Sequence, residues 1–403
     1  MRKILIFFSV LMLQTGCWDK VELNEISIVT GIAIEKGESS RFKLTVETIN
    51  APQLSNEQHG SATPVITFEE EGNSLAELTE RMNVGLSRKL IYSHTRVIVI
   101  DEEVARQGVG DIVDFLERTG EFRNDFNILI AKDAKASDIV KTIYPLELVP
   151  SIKIHKQIQM YLEEWGGDPY VRLTDFFFSL TSKGRQPVTS AVTIQGKAEA
   201  GKSIDQNKMT ELDSIVVIDG LSIFKKDKLE GFLSKEEARN YLWTQGLKHT
   251  SLTVPCNLGS TGQDDNYLDF RILNSHSDRK VTKKNGRLKL IVKISGEARI
   301  QGTQCHKNLE KISTYKMHEE ALNLYMEEKI KATIVKMQKE FQADIFGFGE
   351  DYYRSNPKQY SKLEKDWDSV FSEAEVEVES AFFIRRSGIR NKSFLTEEGT
   401  TEP

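Results

Sequence analysis

Residues 74–130, SLAELTERMNVGLSRKLIYSHTRVIVIDEEVARQGVGDIVDFLERTGEFRNDFNILI, decide the fold class. Ser74 stands where a helix N-cap belongs, with Glu77 three residues on, the spacing of a capping box. Leu75, Leu78, Met82 and Leu86 then share one helical face. Thr95 to Ile100 is a β-branched run suited to a strand. Glu102 to Thr119, with Ile112, Phe115 and Leu116 apolar and Gly120 as a stop, predicts one helix. Phe126 to Ile130 predicts a second buried strand. Helix, strand, helix, strand in succession predicts helices packed on one sheet.

Upstream, Ile26 to Ile34 and Phe42 to Ile49 read as a strand pair joined by a turn rich in Gly and Ser. Asn50 to Pro64 reads as a loop with two prolines. Downstream, Pro150 and Ser151 open an amphipathic helix that runs to about Glu164 and stops at Gly166-Gly167. A helix over Leu173 to Leu180 carries Phe176, Phe177 and Phe178. Three consecutive rings span most of a turn, so one or two belong to the core and the third needs another cover. Pro187 to Ile194 predicts a strand.

The last part begins with strands Ile215 to Ile218 and Leu221 to Phe224 around a turn at Asp219-Gly220. Ser234 caps a helix carrying Ala238, Tyr241 and Leu242. Ser251 to Pro255, Tyr267 to Leu273 and Arg287 to Ile294 are strand-like, and a long helix is expected over Leu309 to Phe341. From Ala374 to Ile384, Val376 and Val378 alternate with Glu375, Glu377 and Glu379, which implies one dry and one wet face. The expected fold is α/β (α+β): three mixed domains with mostly antiparallel sheets flanked by helices. The expected division is a lipoprotein signal peptide over 1–16, an N-terminal α/β domain over 17–140, a middle domain of helices plus a strand over 141–200, a linker over 201–211, a C-terminal α+β domain over 212–390 and a flexible tail over 391–403.

The chain start sets the compartment. Arg2 and Lys3 precede an apolar stretch from Ile4 to Leu13, and small Thr15 and Gly16 precede Cys17, the parts of a secretory signal. The apolar run is shorter than the roughly 20 residues a membrane-spanning helix needs. Leu13-Gln14-Thr15-Gly16-Cys17 resembles a bacterial lipobox, with Gln14 where leucine is usual. That resemblance implies a diacylglyceryl group on the Cys17 sulfur. Two acyl chains anchor stably where one binds only marginally. Trp18 suits either the headgroup layer or a buried contact.

The net charge of −6 becomes −8 once Arg2 and Lys3 leave, which disfavours nucleic acid as a partner. Cys256 and Cys305 are free to pair in an oxidising compartment, but their spacing fixes no geometry, and the chain is long enough to fold without a staple.

Catalytic motifs are absent from the sequence. His318-Glu319-Glu320 lacks the second histidine of a zinc-protease helix, and the remaining histidines are scattered. Gly347-Phe348-Gly349 fits a helix end better than a phosphate loop. Asp264, Asp265, Asn266 and Asp269 lack the spacing of a calcium loop. The basic run Arg279, Lys280, Lys283, Lys284, Arg287 and Lys289 reads as a solvated hairpin face in preference to a contact with anionic headgroups. No cofactor or metal ligand set is expected.

Several stretches share a family likeness. Gly16-Cys17-Trp18-Asp19 with Glu22-Leu23-Asn24-Glu25 resembles the mature start of the Ger(x)C family, the lipoprotein C subunits of bacterial spore germinant receptors. Gly220 to Phe224, Leu229 to Ser234 with Glu236-Glu237, Asp344 to Glu350, Asn356-Pro357, Trp367, and Val376 to Gly388 with Arg385 and Arg386 continue the likeness in order. The resemblance implies a three-domain α/β lipoprotein without catalysis. It implies assembly with the membrane-embedded A and B subunits at the outer face of the spore inner membrane. Read structurally, Gly220 suits a hairpin turn, Ser234 a cap and Trp367 a core anchor. A solute-binding lipoprotein that captures a small nutrient is the alternative, and it predicts a cleft between two similar lobes.

Overall fold

The computed structural model describes residues 22–51, 62–256, 266–284, 286–305 and 307–386. The expected strand pair forms: β1 (Ile26–Glu35) runs antiparallel to β2 (Phe42–Ile49). β3 (Val65–Gly72), which the sequence reading did not anticipate, pairs with the far edge of β2. Its Glu69-Glu70-Glu71 run breaks apolar alternation, and an edge strand tolerates this because those acids meet water and cations. Glu69 pairs with Lys43 (2.8 Å) and with Lys141.

Helix α1 (Leu75–Arg81) starts at Ser74, whose Oγ accepts the N–H of Glu77 (3.4 Å). Short β4 (Lys89–Ile91) lies parallel beside the start of β1, and β5 (Val97–Asp101) continues the sheet parallel to it. The single helix expected over 102–119 is two, α2 (Glu102–Gln107) and α3 (Gly110–Arg118). Gly108 breaks it at φ 132°, and the Val109 N–H donates outside the helix, to the Asp227 carbonyl (2.8 Å).

β6 (Asn127–Ala131), α4 (Ala136–Lys141), α5 (Pro150–Glu164), α6 (Leu173–Thr181) and β7 (Val188–Gly196) follow. After α7 (Ala198–Gly201) come β8 (Ser214–Lys225) and β9 (Lys228–Leu233). The resulting mixed sheet has nine strands, ordered β3-β2-β1-β5-β6-β7-β8-β9 with β4 on β1. Its centre, β1-β5-β6-β7, is parallel. Ile98 and Ile100 enter one core and Val97 and Val99 another, so β5 is apolar throughout because both faces are covered.

One expectation about the middle of the chain needs correction. Asp219-Gly220 is not a turn. β8 runs through it, with Ile218 opposite Val192 and Leu221 opposite Ser190, so two residues face Ala191 as a bulge. Gly220 sits at φ 91°, and a Cβ there would overlap the Leu233 carbonyl. The turn instead lies at Lys226-Asp227, between paired Lys225 and Lys228. Residues 201–211, the expected linker, connect β7 to its antiparallel neighbour β8, and buried Gln206 donates from Nε2 to the Ile143 carbonyl (2.9 Å). Neither 140/141 nor 211/212 marks a break in the sheet.

Helix α8 (Lys235–Thr244) leads to the second sheet, ordered β10 (Thr250–Pro255), β11 (Tyr267–Lys284), β12 (Arg287–Thr303), β13 (Glu375–Arg386). Cys256 and Cys305 form a disulfide, Cα–Cα 5.7 Å, joining the ends of β10 and β12 across β11. The long helix α9 (Ile312–Lys336) gives way to a π-helical turn over Met337–Phe341. It covers the outer edge of β13. Glu327, Asn323 and Glu319, one helical turn apart, accept the N–H groups of Ser380, Phe382 and Ile384 (2.7–2.8 Å). An uncovered edge would otherwise be open to pairing with another chain. Three short helices, α10 (Phe348–Ser355), α11 (Pro357–Tyr360) and α12 (Trp367–Glu373), complete the chain before β13.

Candidate functional site

Cys17, the expected lipidation site, lies outside the described residues, as do Trp18, Asp264, Asp265 and the tail over 391–403. The remaining singled-out segments are distributed unevenly. Ser234 does cap α8, in a reciprocal box: its Oγ accepts the Glu237 N–H (3.2 Å) and its N–H reaches Glu237 Oε2 (2.8 Å). His318 is buried on α9. The basic run is divided. Arg279 pairs with Asp351 (3.0 Å) and donates to the Thr244 carbonyl (3.0 Å), Lys289 pairs with Glu375 and Glu377, and Lys280, Lys283 and Arg287 remain exposed. Phe176 is buried against Phe224, Phe177 is partly buried, and Phe178 is 69% exposed.

Asp344 organises the segment 344–350. Its Oδ1 accepts the N–H groups of Phe346 (3.1 Å), Gly347 (2.9 Å) and Phe348 (3.3 Å). Its Oδ2 accepts those of Gly349 (2.8 Å) and the Trp367 indole (3.1 Å). A wholly buried carboxylate thus gathers the start of α10 and fixes Trp367, which packs on Tyr352 and Tyr360. Burial pushes the Asp344 carboxyl up to about 6, while the Gly349, Trp367, Gly347 and Phe348 donors act in the opposite sense. Gly347 takes φ 87° at the helix start, the permissive-backbone role expected of this glycine pair. Gly349 lies so close to Gly184 that a Cβ on Gly184 would come within 2.7 Å of its Cα.

This turn backs a cavity of about 600 Å³. Helix α5 contributes Leu162, α6 contributes Phe178, α8 contributes Tyr241, Gln245 follows at its end, and Val188 and Leu247 add apolar wall. Arg185 also lines it. Its Nη2 donates to Tyr241 Oη (3.1 Å) and Gln245 Oε1 (3.3 Å), and its stem lies 3.5 Å from where a Gly347 Cβ would stand. Glu350 Oε2 is 4.0 Å from Nη1, outside hydrogen-bond reach. The Gln186 N–H donates to the Asp344 carbonyl (2.8 Å), and Gln245 Nε2 to that of Phe346 (3.2 Å), so one bonded frame holds the guanidinium and the turn. Ser179 Oγ donates to the Asp175 carbonyl (2.9 Å), which leaves it poorly placed as a nucleophile. The arrangement suits holding a group more than transforming one.

Sequence reading missed Arg185. It follows Gly184 in an aperiodic stretch, and only the fold brings it under residues some 60 and 160 positions downstream. Among the described residues, no group of three or more His, Cys, Asp or Glu side chains can hold a metal ion, and no helix is long and apolar enough to cross a membrane.

Residues 19–194 match the family described as "Spore germination protein N-terminal domain", and residues 219–388 match "Spore germination B3/ GerAC like, C-terminal". The chain belongs to the Ger(x)C family. Spore germination protein KC of Bacillus subtilis (strain 168) is 29% identical over 398 residues, covering 96% of each chain. Spore germination protein B3 of the same organism is 24% identical, covering 97% of this chain and 99% of its own. A crystal structure of the GerBC protein superimposes with a TM-score of 0.55 at 20% identity, over 88% of this chain and 97% of that one, and shares the fold. As a Ger(x)C member the chain has the role of a germinant-receptor C subunit. The two family segments meet between 194 and 219, where the large sheet is continuous, so the Ger(x)C halves are joined by shared strands as well as by sequence.

Proposed function

We propose that this chain is a non-catalytic, lipid-anchored subunit of a nutrient germinant receptor. It acts in spore germination by docking on the membrane-embedded A and B subunits at the outer face of the spore inner membrane. The observation that carries the reading is the order of the two spore-germination segments along almost the whole chain, directly behind a cysteine placed as in a lipobox. The described fold starts at Glu22, five residues after Cys17. Five residues reach at most about 18 Å, so an acyl group on Cys17 would hold Glu22, four residues before β1, within that distance of its attachment point. Confinement to the membrane layer turns weak docking into substantial occupancy through effective concentration.

Replacing Cys17 tests the anchor. C17A is expected to move the protein from the membrane fraction of sporulating cells to the soluble fraction. Retention in the membrane fraction, with no palmitate label on the wild type, would remove the anchor from the reading.

A further inference from the structure

We propose that the cavity between α5, α6 and α8 is a binding site for a small organic carboxylate with an apolar body, its carboxylate seated on Arg185. A guanidinium carries five N–H donors, and the two on Nη2 are engaged by Tyr241 and Gln245. Among the described residues, Nε and Nη1 donate no hydrogen bond, Glu350 Oε2 stands 4.0 Å from Nη1, and the Arg185 side chain is only 25% exposed. A fixed cation with three N–H groups left for a ligand therefore lines a cavity of about 600 Å³, a size ordinary for small-molecule sites.

Part of the wall is hydrocarbon. Val171, Val188, Leu242 and Leu247 are buried and line the cavity, and Phe178 stands exposed at its rim. A carboxylate is the planar acceptor that matches the free edge of a guanidinium with two parallel hydrogen bonds. An apolar body then displaces water from the aliphatic wall. The site is built in advance. Tyr241 and Gln245 fix the guanidinium from one side, and the Arg185 stem rests on Gly347 of the Asp344-centred turn, so little side-chain entropy is lost when a ligand arrives. Lys248 also lines the cavity, has no ion-pair partner among the described residues and adds to the attraction for an anion, while Glu163, Asp175 and Glu350 oppose it, the last two being shared with Arg172 and Arg354. The site lies between unlike halves of the chain, and the inference depends on neither the lipid anchor nor docking.

The test uses the full chain in lipid nanodiscs, with radiolabelled 4-methylpentanoate in equilibrium dialysis. Saturable binding is expected. Unlabelled 4-methylpentanoate should compete at least about tenfold better than 4-methylpentanamide, which has the same shape without the charge. R185Q should weaken binding about tenfold or more, and F178A, at the exposed rim, about threefold. Near-ultraviolet circular dichroism checks that each variant keeps its fold. If R185Q does not fold, the discrimination between acid and amide by the wild type decides the matter alone. Equal competition by acid and amide, unchanged binding by folded R185Q, or no saturable binding up to about 10 mM would each overturn the assignment.

Discussion

Two wholly buried carboxylates hold the two halves of this chain, and they are served differently. Asp344 accepts four backbone N–H groups and an indole N–H, all from rigid donors within its own turn or from Trp367. Glu47 on β2 accepts one backbone N–H, from Ser151 (3.2 Å), and two hydroxyls, from Thr30 and Ser151 (2.8 Å). It thereby ties the first turn of α5 to the sheet. Burial pushes Glu47 up to about 7, with the Thr30 and Ser151 donors resisting. Hydroxyls rotate and can serve a neutral acid as well as a carboxylate, whereas a ring of backbone N–H groups can only donate. The Asp344 turn is therefore built for the carboxylate alone, although burial pushes that group up to about 6. The Glu47 clamp, pushed up to about 7, can serve the neutral acid as well.

The harshest way to break that comparison is D344N. An amide cannot accept at both ends, so its NH2 faces at least two N–H donors that have no other partner. The expected loss is about 4 kcal/mol in a urea melt, since each stranded donor costs about 1–3 kcal/mol. A loss below about 1 kcal/mol would mean that the turn does not depend on its carboxylate.

E47Q probes the other side. The folded midpoint of about 7 lies above the ordinary 4.5, so the native state keeps a proton that the unfolded chain has already released. Glu47 therefore takes stability away as pH rises from about 4.5 to about 7, and the penalty is complete above that. E47Q carries no such proton. Its stability relative to wild type is expected to improve by about 2 kcal/mol between pH 5 and pH 8. A difference that stays flat with pH would show that Glu47 does not titrate there.

S151A is the mildest and sharpens the comparison. It removes one hydroxyl donor but keeps the backbone N–H, so the Glu47 midpoint should move further up, at a cost of about 1 kcal/mol at pH 8. Repeating the pH series of stability on this variant reads both effects, and a downward move would contradict the role given to the hydroxyl.

The two carboxylates also differ in how visible they were. Asp344 stood in a segment already singled out by its likeness to a family, with glycines that announced unusual backbone angles. Glu47 was not singled out, because Phe42, Leu44 and Val46 alternate with Lys43, Thr45 and Glu47, a pattern that carries no sign that α5 closes over the far face of the sheet. β3 escaped notice because three glutamates hid its pattern, and the Gly108 break because an outside carbonyl, not the local sequence, claims the next N–H. Ser234 and the β1–β2 hairpin were legible, since caps and short turns are settled by residues a few positions apart.

By itself the sequence determined the alternation of helices and strands, the caps and the family, because each rests on local chemistry or on patterns that short-range geometry enforces. Only the tertiary structure decided that one sheet crosses the family boundary, that Cys256 reaches Cys305, and that Arg185 lies beneath Tyr241 beside the Asp344 turn. Those are meetings of residues far apart in the chain. Their cause is the burial of both faces of a sheet, a condition no single segment can state.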